Sequence, residues 1–168
     1  MPFFAPDFYF KTYAGASVSF LKEQGIRALV LDIDNTLEPY ENAKPSDAVV
    51  AWFSSLREAG IFAAFVSNNN KERVETFNAS LGFIAYSKAK KPFAGKIKKA
   101  MRALGVEKNE TLFMGDQIFT DVLAARFAGI RAALVPPIKD KTDALTRFKR
   151  WLERPIMKRY FRRKEKNV

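Results

Sequence analysis

The sequence predicts an α/β fold in which a largely parallel sheet is covered by helices. Three observations point there. Short, nearly continuous apolar runs recur along the chain, polar-apolar segments of helical length alternate with them, and a glycine follows each of those segments. Apolar runs without polar alternation suit strands that are buried on both faces.

At the N-terminus, Phe10, Tyr13, Ala14, Ser17, Val18 and Leu21 recur close to a helical period, so a helix is expected over 10–24. Strands are expected at 26–31 (IRALVL), 61–66 (IFAAFV), 111–114 (TLFM) and 130–135 (IRAALV), with a weaker fifth at 83–86. Helices are expected between them over 45–59, 71–81, 92–104 and 118–128, where Gly60, Gly82, Gly105 and Gly129 stand at left-handed C-cap positions. Beyond Pro136 and Pro137, an apolar stripe of Leu145, Phe148, Trp151 and Leu152 runs at helical spacing among Lys141, Arg147, Lys149 and Arg150. Pro155 is expected to interrupt that pattern. The whole is read as one domain, 1–168, with an N-terminal helix and a basic C-terminal extension from about 137.

Composition narrows the chemistry. The chain has no cysteine and no histidine, which removes disulfides, thiolate nucleophiles, histidine-liganded zinc and serine–histidine triads together. Carboxylates, lysine, hydroxyls, amides and hard, oxygen-bound metals remain. The net charge is +11, and 139–168 alone contributes +8, so phosphorylated substrates, anionic lipid and nucleic acid all suit the chain as partners. The aromatic segment MPFFAPDFYF lacks the basic and long aliphatic regions of a signal peptide, and no apolar run approaches the roughly 20 residues that cross a bilayer. A cytoplasmic chain is expected, with attachment to the inner face of the membrane left open.

In open α/β sheets, function sits on the loops that leave the carboxyl ends of the strands. The first strong strand runs into LDIDNTL. If it continued, Asp32 and Asp34 would share a face and repel one another unless a cation or proton lay between them. A bare acidic loop fits the same spacing. The second ends in VSNNN, where Ser67 and Asn68 could donate hydrogen bonds to an anion or simply cap the next helix. SKAKKPF places Lys88, Lys90 and Lys91 before Pro92, which suits the first turn of a helix, so Lys91, or Lys90 in its place, could be held near the strand ends, while a solvated lysine cluster fits the same residues. In MGDQIFTD, Asp116 and Asp121 could ligate a metal or orient its water, while Asp121 could equally be a helix cap.

These motifs resemble those of the haloacid-dehalogenase phosphatase superfamily. DIDNT at 32–36 looks like its first motif, Ser67 its second, Lys91 its third and GDQIFTD at 115–121 its fourth. The aromatic N-terminus, GIRALVLDIDNTL and the basic C-terminus look more narrowly like its subfamily IIIA, the YqeG-like phosphatases, which are related to phosphatidylglycerophosphate phosphatases. The resemblance implies a three-layer α/β/α sandwich with a Rossmann-like sheet and, since no large insertion separates the motifs, no cap domain. It implies Asp32 as nucleophile and Asp34 as general acid and base, with Ser67 and Lys91 on the transferring phosphoryl group. It further implies Mg²⁺ held by Asp32, the Asp34 carbonyl, Asp116 and Asp121. The expected substrate is a phosphate on an anionic lipid headgroup, phosphatidylglycerophosphate, with peripheral membrane contact through the terminal aromatic and basic segments. A phosphatase of soluble nucleotides, sugar phosphates or phosphoproteins is the alternative, and an RNA- or ribosome-binding module is a less favoured one.

Overall fold

A computed structural model describes residues 3–139 and 144–165. Lys141 and the side chains of Leu145, Lys149 and Arg150, which belong to the C-terminal stripe, lie outside the described residues. Six parallel strands form one sheet in the order β1-β6-β5-β2-β3-β4. They are β1 Phe8–Tyr9, β2 Ala28–Leu31, β3 Phe62–Val66, β4 Ile84–Tyr86, β5 Thr111–Gly115 and β6 Arg131–Leu134. Helices α1 Val18–Glu23, α2 Asp47–Glu58, α3 Lys71–Asn78, α4 Gly95–Leu104, α5 Leu123–Ala128 and α6 Ala144–Glu165 complete the three layers. Among the described residues one helix joins β2 to β3 and one joins β3 to β4, so neither connection carries a cap domain.

The central strands are buried throughout because successive side chains serve opposite cores. From β2, Leu29 and Leu31 enter the core that α1, α2 and α3 cover, where Phe53, Phe65 and Phe77 meet edge to face. Ala28 and Val30 enter the other, with Ile97 and Met101 of α4 and Ala124, Ala125 and Ala128 of α5. Gly105 and Gly129 end α4 and α5 at φ of +65° and +77°, the left-handed caps the sequence calls for.

Four features of the fold depart from the expected layout. The segment 10–24 is not one helix. A 3-10 turn at Tyr13–Gly15 precedes α1, whose Ser17 cap accepts a hydrogen bond from the Phe20 N–H at 3.2 Å and restarts the chain as a helix. The residues before it supply β1, an edge strand too short to show a period of two. Third, α4 starts at Gly95 rather than Pro92, because Phe93 N–H bonds to the Lys90 carbonyl in a turn and Lys91 is held by Asn68. Finally, α6 continues through Pro155. Proline removes one helical hydrogen bond, but tertiary contacts hold both sides of it: buried Glu153 before, and Ile156, Met157 and Tyr160 after, all against the domain. No helix among the described residues is long and apolar enough to cross a membrane.

Candidate active site

The sheet order places β2 between β3 and β5, and register brings their carboxyl ends level: Leu31 stands opposite Phe65 on one side and Met114 on the other. The next residues therefore emerge side by side, Asp32 from β2, Ser67 just past β3, and Asp116 just past β5. The Asp32 N–H still bonds to the Met114 carbonyl at 2.9 Å, which fixes where the Asp32 side chain leaves the sheet.

Carboxylate oxygens of Asp32, Asp116 and Asp121 lie within 4.8 Å of one another. Lys91 sits among them, its Nζ 3.0 Å from Asp32 Oδ1 and 2.7 Å from Asp121 Oδ1. Two contacts hold its backbone in place: the Lys91 N–H donates to Asn68 Oδ1 at 2.7 Å, and Asn68 Nδ2 donates to the Lys91 carbonyl. Lys90 is exposed, which settles the choice between the two lysines in favour of Lys91.

Asp121 lies in a π-helical turn, Ile118–Val122, that precedes α5. Its Oδ2 accepts the N–H groups of Asp116 and Gln117 at 3.1 and 3.0 Å, so it closes the loop behind it instead of capping α5. The close approach requires glycine at 115, since a Cβ there would collide with the Asp121 carboxylate. Glu153 of α6 accepts the Ile118 N–H at 2.7 Å and ties the same turn to the C-terminal helix.

The electrostatics follow from this crowding. Burial pushes the Asp32 carboxyl up to about 6; Lys91 opposes the shift, while Asp121 and Asp34 add to it. Burial works against the charge on Lys91, but Asp121 and Asp32 outweigh it and keep the ammonium protonated. Two of the three carboxylates, Asp32 and Asp121, thus share one lysine, and every donor is a hard oxygen. That set suits a divalent cation of the Mg²⁺ type better than any softer ion. Asp116 and Asp121 are shut off from solvent, whereas the Asp32 side chain keeps 12% of its surface exposed. An incoming molecule therefore meets Asp32.

Asp34 departs from the expectation of a shared face. The strand stops at Leu31, Asn35 turns the chain at φ +62°, and the Asp34 carboxylate joins a different group. Arg73 of α3 reaches its Oδ1 through Nε at 3.0 Å and Nη2 at 2.8 Å, and Asn69 Nδ2 donates to Oδ2 at 2.9 Å. Ser67 is buried beside these loops, with its Oγ accepting the Asn69 N–H at 3.1 Å.

A family model described as haloacid dehalogenase-like hydrolase matches residues 11–135. The chain belongs to this family. Its YqeG-like character rests on 34% identity to the "Probable phosphatase YqeG" of Bacillus subtilis, over 92% of this chain and 90% of that one. It is also 29% identical to the chloroplastic/mitochondrial phosphatidylglycerophosphate phosphatase 1 of Arabidopsis thaliana, across 88% of this chain but only 45% of the longer plant protein. CbbY from Rhodobacter sphaeroides, solved with phosphate, shares the fold at a TM-score of 0.58 and 14% identity, over 70% of this chain and 89% of that one. Membership together with the carboxylate cluster makes this a phosphatase of the haloacid-dehalogenase type.

Within this haloacid-dehalogenase site, sequence reasoning missed Arg73, Asn69 and Glu38. Glu38 is buried; although burial raises its pKa, hydrogen bonds from Ser46 and Asn42 outweigh that and hold it below the usual carboxylate range. Arg73 follows Asp34 by 39 residues and looks like an ordinary surface charge of an amphipathic helix, so no local signal marks it.

Proposed function

We propose that the chain hydrolyses a phosphomonoester in two steps through a phosphorylated Asp32, and that its substrate is the phosphate of phosphatidylglycerophosphate. The observation that carries the mechanism is the one carboxylate of the buried trio that reaches solvent, Asp32, standing 3.0 Å from a buried lysine. In the first step Asp32 Oδ attacks phosphorus, the bond from phosphorus to the ester oxygen breaks, and Asp34 delivers a proton to the departing alkoxide. In the second step Asp34 takes a proton from water, whose oxygen attacks phosphorus and returns Asp32 as a carboxylate with inorganic phosphate. Lys91 and the Ser67 hydroxyl offset charge on the phosphoryl oxygens. Asp32, Asp116, Asp121 and the carbonyl of Asp34 would hold Mg²⁺, which supplies charge neutralisation for the phosphoryl group when bound. The buried carboxylate of Asp121, fixed by two backbone N–H groups, is suited to steady Lys91 as well as to act toward the metal.

The lipid assignment draws on the plant relative's name and on a site with no cap domain, which leaves room for a headgroup attached to a bulky body. The deciding measurement is magnesium-dependent phosphate release from phosphatidylglycerophosphate in micelles beside a panel of soluble phosphates, with Asp32→Asn as control. Preference for the lipid by the wild-type protein alone is expected. Turnover of soluble phosphates only would remove the lipid substrate and keep the phosphatase.

A further inference from the structure

Of the eleven large apolar side chains exposed among the described residues, six lie on segments at one end of the sheet, while Phe3, Phe4, Phe62, Phe127 and Phe161 lie elsewhere. Tyr40 on the loop after β2, Phe93 on the loop after β4, Ile138 after β6, and Phe148, Trp151 and Leu152 in the first turns of α6 are all exposed, from 36% for Leu152 to 71% for Phe93. Each lies on a segment that leaves the carboxyl end of the sheet, the end that carries Asp32. The helix adds a second feature. Its described contacts with the domain start at Glu153, which is bonded to the loop of Asp121, and continue through Ile156, Met157 and Tyr160. Beyond Pro155 the outward side turns basic, with Lys158, Arg159, Arg162 and Arg163 exposed.

We propose that this rim is a docking surface for an anionic phospholipid bilayer, with Phe148, Trp151 and Leu152 entering the interface and the basic turns of α6 drawn to the headgroups. Charge selects this occupant over a second copy of the chain, because each copy carries +11 and would repel its twin. Packing selects it over single-stranded RNA. Bases stack best on ring faces that are fully open, whereas the Phe148 and Trp151 rings stack on one another at 6.1 Å and 25°, so each already turns one face to the other. Exposed aromatic side chains among cations suit the boundary between headgroups and acyl chains. The surface stands on its own exposure and charge, and rests on the lipid-substrate reading only for what the contact would serve.

The test is flotation of the full chain with vesicles of phosphatidylglycerol and phosphatidylcholine, compared with phosphatidylcholine alone. The wild-type protein is expected to float with the anionic vesicles and to be released by high salt. Phe148→Ser with Trp151→Ser should cut the bound fraction about tenfold, and Lys158→Glu with Arg162→Glu should remove most of the salt-sensitive part. All four positions are exposed, and hydrolysis of p-nitrophenyl phosphate by both variants should match the wild type. In a Trp52→Phe protein, Trp151 is the remaining tryptophan, and its emission should shift to the blue on anionic vesicles. Failure of the wild type to float, equal flotation of the Phe148/Trp151 variant, or RNA binding in place of vesicle binding would each overturn the proposal. A floating protein that ignores phosphatidylglycerophosphate would instead sink only the substrate assignment.

Discussion

Asp32 and Asp34 are two residues apart, and their carboxylates are placed by opposite means. Asp32 shares one lysine with the buried Asp121 beside a third buried acid, Asp116, and its carboxyl is pushed up to about 6. Asp34 has a guanidinium and an amide to itself. A group in the first setting gains from any added positive charge, so it suits a place where a cation and a phosphoryl group are to be received. A group in the second is held in one orientation at both oxygens, Oδ1 by the Arg73 guanidinium and Oδ2 by the Asn69 amide, which suits a proton carrier that must meet a single oxygen. The divergence arises in the backbone: β2 stops at Leu31 and the turn at Asn35 sends the second carboxylate toward α3.

The sharpest way to break this division is Asp32→Asn, which should lower turnover of every substrate by roughly 10⁴-fold or more and leave no acid-stable, alkali-labile phosphoprotein. Equal loss at Asp34→Asn for aryl and alkyl phosphates would deny Asp34 its separate task. The expected result is a drop of about 10²- to 10⁴-fold for alkyl esters and a much smaller one for p-nitrophenyl phosphate, whose leaving group needs no proton. Arg73→Ala comes next. It strands a nearly buried carboxylate, so a stability loss of about 3 kcal/mol is expected in denaturant melts, along with a fall in kcat for alkyl esters that Arg73→Lys restores only in part.

The smallest effect is the most direct probe of the crowded cluster. Because the folded-state pKa of Asp32 lies above its unfolded value near 4, the folded chain binds the extra proton between those limits. Metal-free stability should therefore decline as pH rises from about 4 to 6, and this slope should vanish in Asp32→Asn. Mg²⁺ should raise the melting temperature of the wild type by about 5 °C at pH 8 and by less at pH 5, where protons compete for the same oxygens. A pH-independent shift would place the ion elsewhere.

Much of this was legible from residue order alone. Five of the six strands announce themselves as apolar runs, and the loops that follow them carry Asp32, Ser67, Lys91, Asp116 and Asp121. What escaped was either too short or too distant. The strand Phe8–Tyr9 has two residues and so no periodicity to read. The pairing of Arg73 with Asp34 depends on how α3 lies across the loop after β2, a tertiary fact. Pro155 misled because a local rule was overridden by contacts of Glu153 and Tyr160 on either side. The choice of Lys91 over Lys90 waited on Asn68, whose side chain seizes both polar groups of one peptide segment.

The sheet's margins have a consequence of their own. Its two outermost strands, Phe8–Tyr9 and Ile84–Tyr86, are its shortest, with two and three residues. A foreign strand seeking to extend the ladder would find only a few rungs on either border, too few for stable zippering. Assembly by strand annexation, and the runaway polymerisation that can follow from it, is thus blocked by truncation at both flanks, and any companion molecule must be met through helices and loops instead.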